Sequence, residues 1–223
     1  MVASAQPPRI EIEIVSDVVC PWCVVGYLQL RRALATLADE VVPRVRWHPF
    51  ELNPQMPEAG QDLREHMANK YGASEAQSRA ARERLSAAGD RLGFQFDYFD
   101  GMRMVNTFAA HQLLHWAGLQ GLQSELQMAL FEAFFSRRQD VNDRAVLVDA
   151  ARRAGLDAAG ASDVLADGRY AAAVRQAQAS WREREVYAVP TFVFQQQYTV
   201  PGAQEADTFL RVMRRLLERT GST

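Results

Sequence analysis

The chain has 223 residues, enough for one large domain or one domain carrying an insertion and too few for a multi-domain array. An apolar fraction of 48% with 23% charged residues describes a folding globular chain and excludes the disordered, collagenous and coiled-coil classes. Twenty-five cations against 27 anions leave a net charge of −2, which gives no sign of a nucleic-acid or anionic-membrane partner.

The start, as far as Pro8, lacks a basic n-region, and Glu11 and Glu13 interrupt the first apolar stretch, so it does not read as a secretory signal. No run approaches the roughly 18 apolar residues of a membrane span, since even 126–135 carries Gln127 and Glu132. The expectation is a cytoplasmic protein with no membrane partner. Cys20 and Cys23 are its only cysteines. In a reducing compartment an isolated C-x-x-C points to redox or metal chemistry more than to a structural staple.

In chain order, residues 9–15 alternate, with Ile10, Ile12 and Ile14 on one face and Arg9, Glu11 and Glu13 on the other, the period of a half-buried strand. A helix follows from Pro21, with an apolar stripe of Val24, Tyr27, Leu28, Leu30, Leu34 and Leu37. Residues 45–52 alternate again and Pro54 and Pro57 close them, completing a β-α-β opening with a right-handed crossover. From residue 62 to about 186 the periods are helical. They include a helix over 74–92 and one over 105–119 whose stripe is Val105, Ala109, Leu113 and Trp116. Residues 189–194 then form a β-branched and aromatic run, 195–197 a turn, and 198–200 a short returning strand. A last amphipathic helix over about 205–219 turns Phe209, Val212, Met213, Leu216 and Leu217 inward. The expected organisation is a discontinuous α/β domain over 9–58 and 187–221, with an all-helical domain over 59–186 inserted in it.

The chemical centre is Cys20-Pro21-Trp22-Cys23, at the junction of the first strand and the first helix. Proline favours the first helical position, which puts Cys20 at the N-cap and Cys23 in the first turn. The backbone N–H groups of Trp22 and Cys23 are then expected to point at the Cys20 sulfur and favour a thiolate. Helix-terminal cysteines in such motifs titrate at roughly 3.5–7.5 against about 8.5 for a free thiol, and Cys20 is expected inside that window with Cys23 above it. Cys20 would attack a substrate sulfur, Cys23 would resolve the mixed disulfide, and Trp22 would supply an apolar contact. The structural alternative is half of a zinc site, which lacks a second C-x-x-C.

Together with Val189-Pro190-Thr191 leading into Phe192-Val193-Phe194, this pattern resembles the DsbA family of thioredoxin-fold dithiol-disulfide oxidoreductases. Residues 47–54 (WHPFELNP), 106–111 (NTFAAH) and 200–204 (VPGAQ) look like its FrnE-like branch, so the resemblance covers nearly the whole chain. It implies a thioredoxin-like fold, a cis Pro190 against the two sulfurs, and a Val189 backbone that pairs with an extended substrate. By itself, a proline there also suits a strand start. Thioredoxin relatives commonly carry a buried acid six positions before the first cysteine. Here that position is Ile14, leaving water or Glu13 to serve Cys23, and Asp17 to cap or turn the loop.

Weaker candidates surround this centre. Asn106 and His111 could border the redox cleft, or could cap and pack a helix. His111 and His115 have the spacing of a metal pair without a third ligand. Met102 and Met104 offer an adaptable rim or core. Gly202 and Ala203, with Gln204, would open the final helix and present N–H groups to a carboxylate of a peptide or of glutathione. The reading is a thiol-disulfide oxidoreductase acting on protein or small-molecule disulfides, leaning to isomerase or reductase. It needs no bound cofactor or metal, takes glutathione at most as co-substrate, depends on an unidentified redox partner, and is a monomer or a dimer. The alternative is a glutathione-dependent isomerase or kappa-type glutathione transferase on the same fold. Those relatives usually carry serine at the first active position and lack the resolving thiol, against which Cys23 argues.

Overall fold

A computed structural model describes residues 7–220. The segment read above for a leader, as far as residue 6, and residue 221, the expected end of the α/β domain, lie outside them. Strand β1 (Arg9–Ser16) buries Ile10, Ile12 and Ile14 on one face, as the alternation requires. It lies inside a four-stranded sheet of order β2-β1-β5-β6. Strand β2 (Val42–Pro49) runs parallel to it, and β5 (Thr191–Phe194) antiparallel on the other side, followed by antiparallel β6 (Tyr198–Pro201). The chain has an α/β thioredoxin-like fold, with a helical insertion between β2 and β5.

Strand β2 sits three residues earlier than the alternation over 45–52 suggests. Its register pairs Arg9 with Val42 and Ser16 with Pro49, so β1 offers no partner beyond that point. The Phe50 N–H still donates to the Ser16 carbonyl before the chain turns away. As an edge strand, β2 exposes backbone that invites unwanted pairing. The Gln123 side chain closes part of that edge, accepting from the Trp47 N–H at 2.9 Å and donating to the Trp47 carbonyl at 3.0 Å.

Helices α1 (Pro21–Thr36) and, near the C-terminus, Ala206–Thr220 pack together on the Ile10, Ile12, Ile14 face of the sheet. Gly26 makes the approach possible: a Cβ there would stand 3.0 Å from the Phe192 ring and 3.3 Å from the Ala203 Cα. The C-terminal helix starts at Ala206, within one residue of the start expected at about 205, so Gly202, Ala203 and Gln204 precede it instead of opening it. Gly202 turns the chain at φ +76° and commits its N–H to the Pro190 carbonyl at 2.8 Å, while the helix start is held by Gln29 of α1 through the Ala206 N–H and the Glu205 carboxylate.

The insertion contains α2 (Leu63–Tyr71), α3 (Glu75–Leu92), α4 (Phe108–Leu119), α5 (Gln123–Phe131), α6 (Arg144–Arg153), α7 (Ala158–Asp167) and α8 (Ala171–Glu183), which makes the C-terminal helix α9. Ser74 and Gln77 form a reciprocal capping box that fixes the start of α3. Between the helices lies one antiparallel ladder, β3 (Gln61–Asp62) with β4 (Arg103–Met104), too short to leave a period in the sequence. Helix α4 begins three residues later than the apolar stripe suggests, because the Asn106 side chain accepts the Phe108 N–H and ends the preceding loop there. Its buried face is Ala110, Leu113, Leu114 and Ala117, with Ala109 and Trp116 only half-buried.

The second face of the sheet is covered by α8, where Trp181 packs with Val15, Val186 and Val193. His48 lies against the Trp181 ring at 4.8 Å and 3.3 Å from the Glu13 carboxylate, which also faces Arg184 at 3.9 Å. Burial, then Arg184 and Arg46, lower the His48 imidazole to about 4. An unfolded histidine takes up a proton near pH 6.5 that this folded one refuses down to about 4. Stability is therefore complete above about pH 6.5 and falls as the pH drops toward 4, by about 3 kcal/mol. Urea titrations across this range should give a flatter dependence in His48→Gln. Gly26→Val should cost about 1–3 kcal/mol, since neither Phe192 nor the Ala203 backbone can recede far. A wild-type midpoint for that variant would contradict the packing described.

Candidate active site

The β1–α1 turn presents the two sulfurs. Cys20 is the N-cap of α1 in extended conformation, φ −94° and ψ 109°, and Pro21 occupies the first helical position. The Asp17 carbonyl accepts the Cys20 N–H, and the Cys20 carbonyl accepts the Cys23 N–H, each at 3.1 Å. The expected arrangement, with helix amides bonded to the Cys20 sulfur, is not adopted: Cys20 makes no side-chain cap. Its thiol faces the Val189 carbonyl instead, with Sγ at 3.8 Å, across 169 positions of sequence. The sulfur still sits at the positive end of α1. The Val189–Pro190 peptide is cis, and Pro190 is buried behind it.

Both thiols are free and buried, but Cys20 keeps 4% of its surface, where it lines the cleft described below, and Cys23 keeps none. Burial pushes the Cys23 thiol well up, and the neighbouring Cys20 sulfur adds to the push, while the Ser16 hydroxyl and the Asp17 backbone N–H pull the other way. Ser16 is the polar neighbour that sequence reasoning missed. It lies two positions beyond Ile14 on the same strand face, so the alternation itself carried the signal. Glu13 cannot serve Cys23, because the same alternation turns it to the opposite face, toward His48 and Arg184.

Asp17 anchors the turn. Fully buried, it accepts the Leu52 N–H at 2.7 Å through Oδ2 and faces His111 Nε2 at 3.3 Å through Oδ1. His111 also meets the Phe50 carbonyl at 3.0 Å. Lys70, from α2, donates to the Leu52 carbonyl and to Asn53 Oδ1, both at 2.7 Å. The buried Glu51 carboxylate is held by Arg175 at 2.6 Å and by Gln178 at 2.9 Å. Residues 50–53 are thus pinned from three sides, and neither Lys70 nor Arg175 stood out in the sequence as part of this support.

A cleft of about 390 Å³ opens in front of Cys20, between the tip of α1 and helices α2 and α3. Pro21, Trp22 and Val189 border it, and Tyr71, Tyr98, Met102, Met104 and Phe135 form much of the facing wall. Trp22 is 47% exposed at its mouth. Phe134 and Phe135 both reach the cleft from a π-helical turn, Glu132–Ser136, that continues α5, a local widening that an apolar run cannot announce. Asn106 and His111 do not line this cleft. Asn106 bonds the Met56 carbonyl and the Phe108 N–H, and His111 is buried behind the turn. Gly202 and Ala203 also stand apart from it, against Pro190 and Gly26. His111 is taken up by the Phe50 carbonyl and Asp17, and His115 lies tilted against the Tyr170 ring at 5.0 Å.

This asymmetry sets the reactivity. Iodoacetamide at neutral pH should label Cys20 in the folded protein and leave Cys23 untouched until denaturant is added. Equal labelling of both, read by peptide mass, would contradict the burial described.

The model of the DSBA-like thioredoxin domain family matches residues 11–214. A probable DsbA oxidoreductase of Streptomyces coelicolor, SCO1869, superposes with a TM-score of 0.86 at 34% identity, covering 92% of this chain and 89% of that one. The uncharacterized protein YwbO of Bacillus subtilis (strain 168) is 28% identical over 201 residues, 90% of this chain and 94% of its own length. The cytosolic disulfide reductase DsbM of Pseudomonas aeruginosa, solved with GSH, shares the fold at a TM-score of 0.64 and 15% identity over 93% of this chain and 99% of that one.

Proposed function

Because this chain belongs to the DSBA-like thioredoxin domain family and is a probable oxidoreductase of that type, we propose that it exchanges disulfides through Cys20 and Cys23 as an isomerase or reductase in the cytoplasm. The observation that carries this reading is the pairing of a cleft-lining sulfur at a helix tip with a buried sulfur one turn behind it. Cys20 as thiolate attacks one sulfur of a substrate disulfide; that S–S bond breaks, a Cys20–substrate disulfide forms, and the other half leaves as thiolate. Cys23 then attacks Cys20, releasing the second half and leaving the protein oxidised. The proton that Cys23 must first give up is held firmly by burial, and the Ser16 hydroxyl and Asp17 N–H stabilise the sulfur as it becomes anionic. The Val189 N–H takes part in no backbone hydrogen bond among the described residues, so it is available to an extended substrate beside Pro190.

The direction follows from what surrounds the outer sulfur. Strongly oxidising dithiols, near −120 mV, owe their potential to a stabilised reduced form. Here no helix amide bonds the Cys20 side chain and a carbonyl faces it, which supports a potential nearer the isomerase and reductase values of about −180 to −270 mV. The finer placement in the FrnE-like branch rests on residues 47–54, 106–111 and 200–204. Substrates are protein or small-molecule disulfides. Glutathione would enter as a co-substrate.

A redox titration against glutathione should place the couple between about −270 and −180 mV. Cys20→Ser should abolish insulin reduction and refolding of scrambled ribonuclease, and Cys23→Ala should accumulate the mixed disulfide. A potential above about −150 mV would overturn the direction. Glutathione conjugation or chromene isomerisation that persists in Cys23→Ala would favour the isomerase or transferase alternative.

A further inference from the structure

Among the described residues that line the Cys20 cleft, Arg82 alone is an arginine, lysine, aspartate or glutamate. It projects from α3, half-buried, at the wall shared with a second cavity of about 340 Å³. The other charged groups of that cavity are engaged. Arg64 pairs with Asp100, Arg138 pairs with Asp97 at 2.7 Å, and Asp62 caps α2 by accepting the Arg64 and Glu65 N–H groups. Arg82 forms no ion pair and no hydrogen bond among the described residues. A partly desolvated guanidinium without an anion bears the cost of burial and none of the compensation.

Tyr98, like Arg82, lines both the Cys20 cleft and the second cavity. Burial holds its phenol above the ordinary value, with Arg82 drawing it down and Cys20 pushing it up, so it feels both groups. At neutral pH it is an O–H donor on the same wall as the Arg82 guanidinium, a suitable pair for a carboxylate. The rest of the wall is apolar and would strengthen such a contact by excluding water.

We propose that Arg82, with the Tyr98 phenol on the same wall, binds a carboxylate carried by the disulfide substrate, so that the site selects anionic disulfides. This rests on Cys20 as the attacking sulfur. The carboxylate belongs to the half of the substrate that stays bonded to Cys20 in the mixed disulfide, while the other half departs as thiolate. The same chemistry is offered by a small disulfide with free carboxylates, such as oxidised glutathione, and by an acidic residue flanking a cysteine in an extended peptide.

Single-turnover mixing of fully reduced protein with excess disulfide tests it without any recycling reductant. The small substrates are oxidised glutathione, bis(2-hydroxyethyl) disulfide and cystamine; the peptide substrates are a disulfide pair differing only by Glu or Gln next to the cysteine. Arg82→Gln should slow at least one anionic arm about tenfold, the worth of one charged hydrogen-bonded contact, and leave the hydroxyethyl arm unchanged. Arg82→Lys should retain part of the preference, and Arg82→Glu should shift it toward cystamine, a reversal that mere structural damage would not produce. Loss confined to the glutathione arm identifies a small disulfide as the carboxylate source, and loss confined to the Glu peptide identifies a protein substrate; both support the proposal. Equal slowing of every arm, or no slowing of either anionic arm, overturns it. Failure of wild-type protein to react with the neutral disulfide would overturn the dithiol assignment as well.

Discussion

The antiparallel pairing of β1 with β5 is the constraint on which the site depends. It sets Val15 opposite Thr191, so the residues that leave the end of β1 emerge beside the residues that enter β5. That register brings the Cys20 thiol to the Val189 carbonyl, although neither residue has a local reason to be near the other. The contact is secured from behind, where Phe192 and the Ala203 backbone press on Gly26 of α1 and the Pro190 carbonyl takes the Gly202 N–H. Helix, strand and loop are therefore a single rigid block, and the reacting sulfur inherits its position from the sheet.

Buried charge organises the ground beneath this block. A carboxylate withdrawn from water is tolerated only when donors replace the water. Asp17 receives the Leu52 N–H and has the His111 ring 3.3 Å from its other oxygen, and Glu51 receives Arg175 and Gln178. Both sets tie residues 50–52, just past the end of β2, to the insertion on one side and to the β1–α1 turn on the other. Lys70 adds a tie from α2, the helix that also borders the cleft. The insertion is thereby clamped to the catalytic turn by polar contacts at its base, while its apolar side chains form the opposing wall of the cleft.

The two thiols differ because one structural device cannot serve both. The helix end leaves Cys20 at the cleft, while Cys23, one turn on, is enclosed by the Ile10–Ile14 face of the sheet and by neighbouring helices. Enclosure holds the inner proton in place, as the proposed resolving role of Cys23 requires. An apolar cleft favours the encounter with a guest that can leave water, and under the proposal above the Arg82 guanidinium in its wall gives that guest an orientation.

Much of this was legible in the sequence, and the reasons are local. Alternating isoleucines in β1, proline after Cys20 and the β-branched run after Pro190 each dictate backbone conformation through near neighbours, so the α/β frame and the C-x-x-C at a helix start could be read directly. What stayed hidden is pairing at a distance. The aim of the Cys20 sulfur at Val189, the withdrawal of His111 and Asn106 from the cleft, and the enlistment of Lys70 and Arg175 were decided by which elements face each other in three dimensions. A sequence records the chemistry available at each position and the period of each element; only packing chooses, among many polar groups of equal local merit, which ones lose water together and so must satisfy one another.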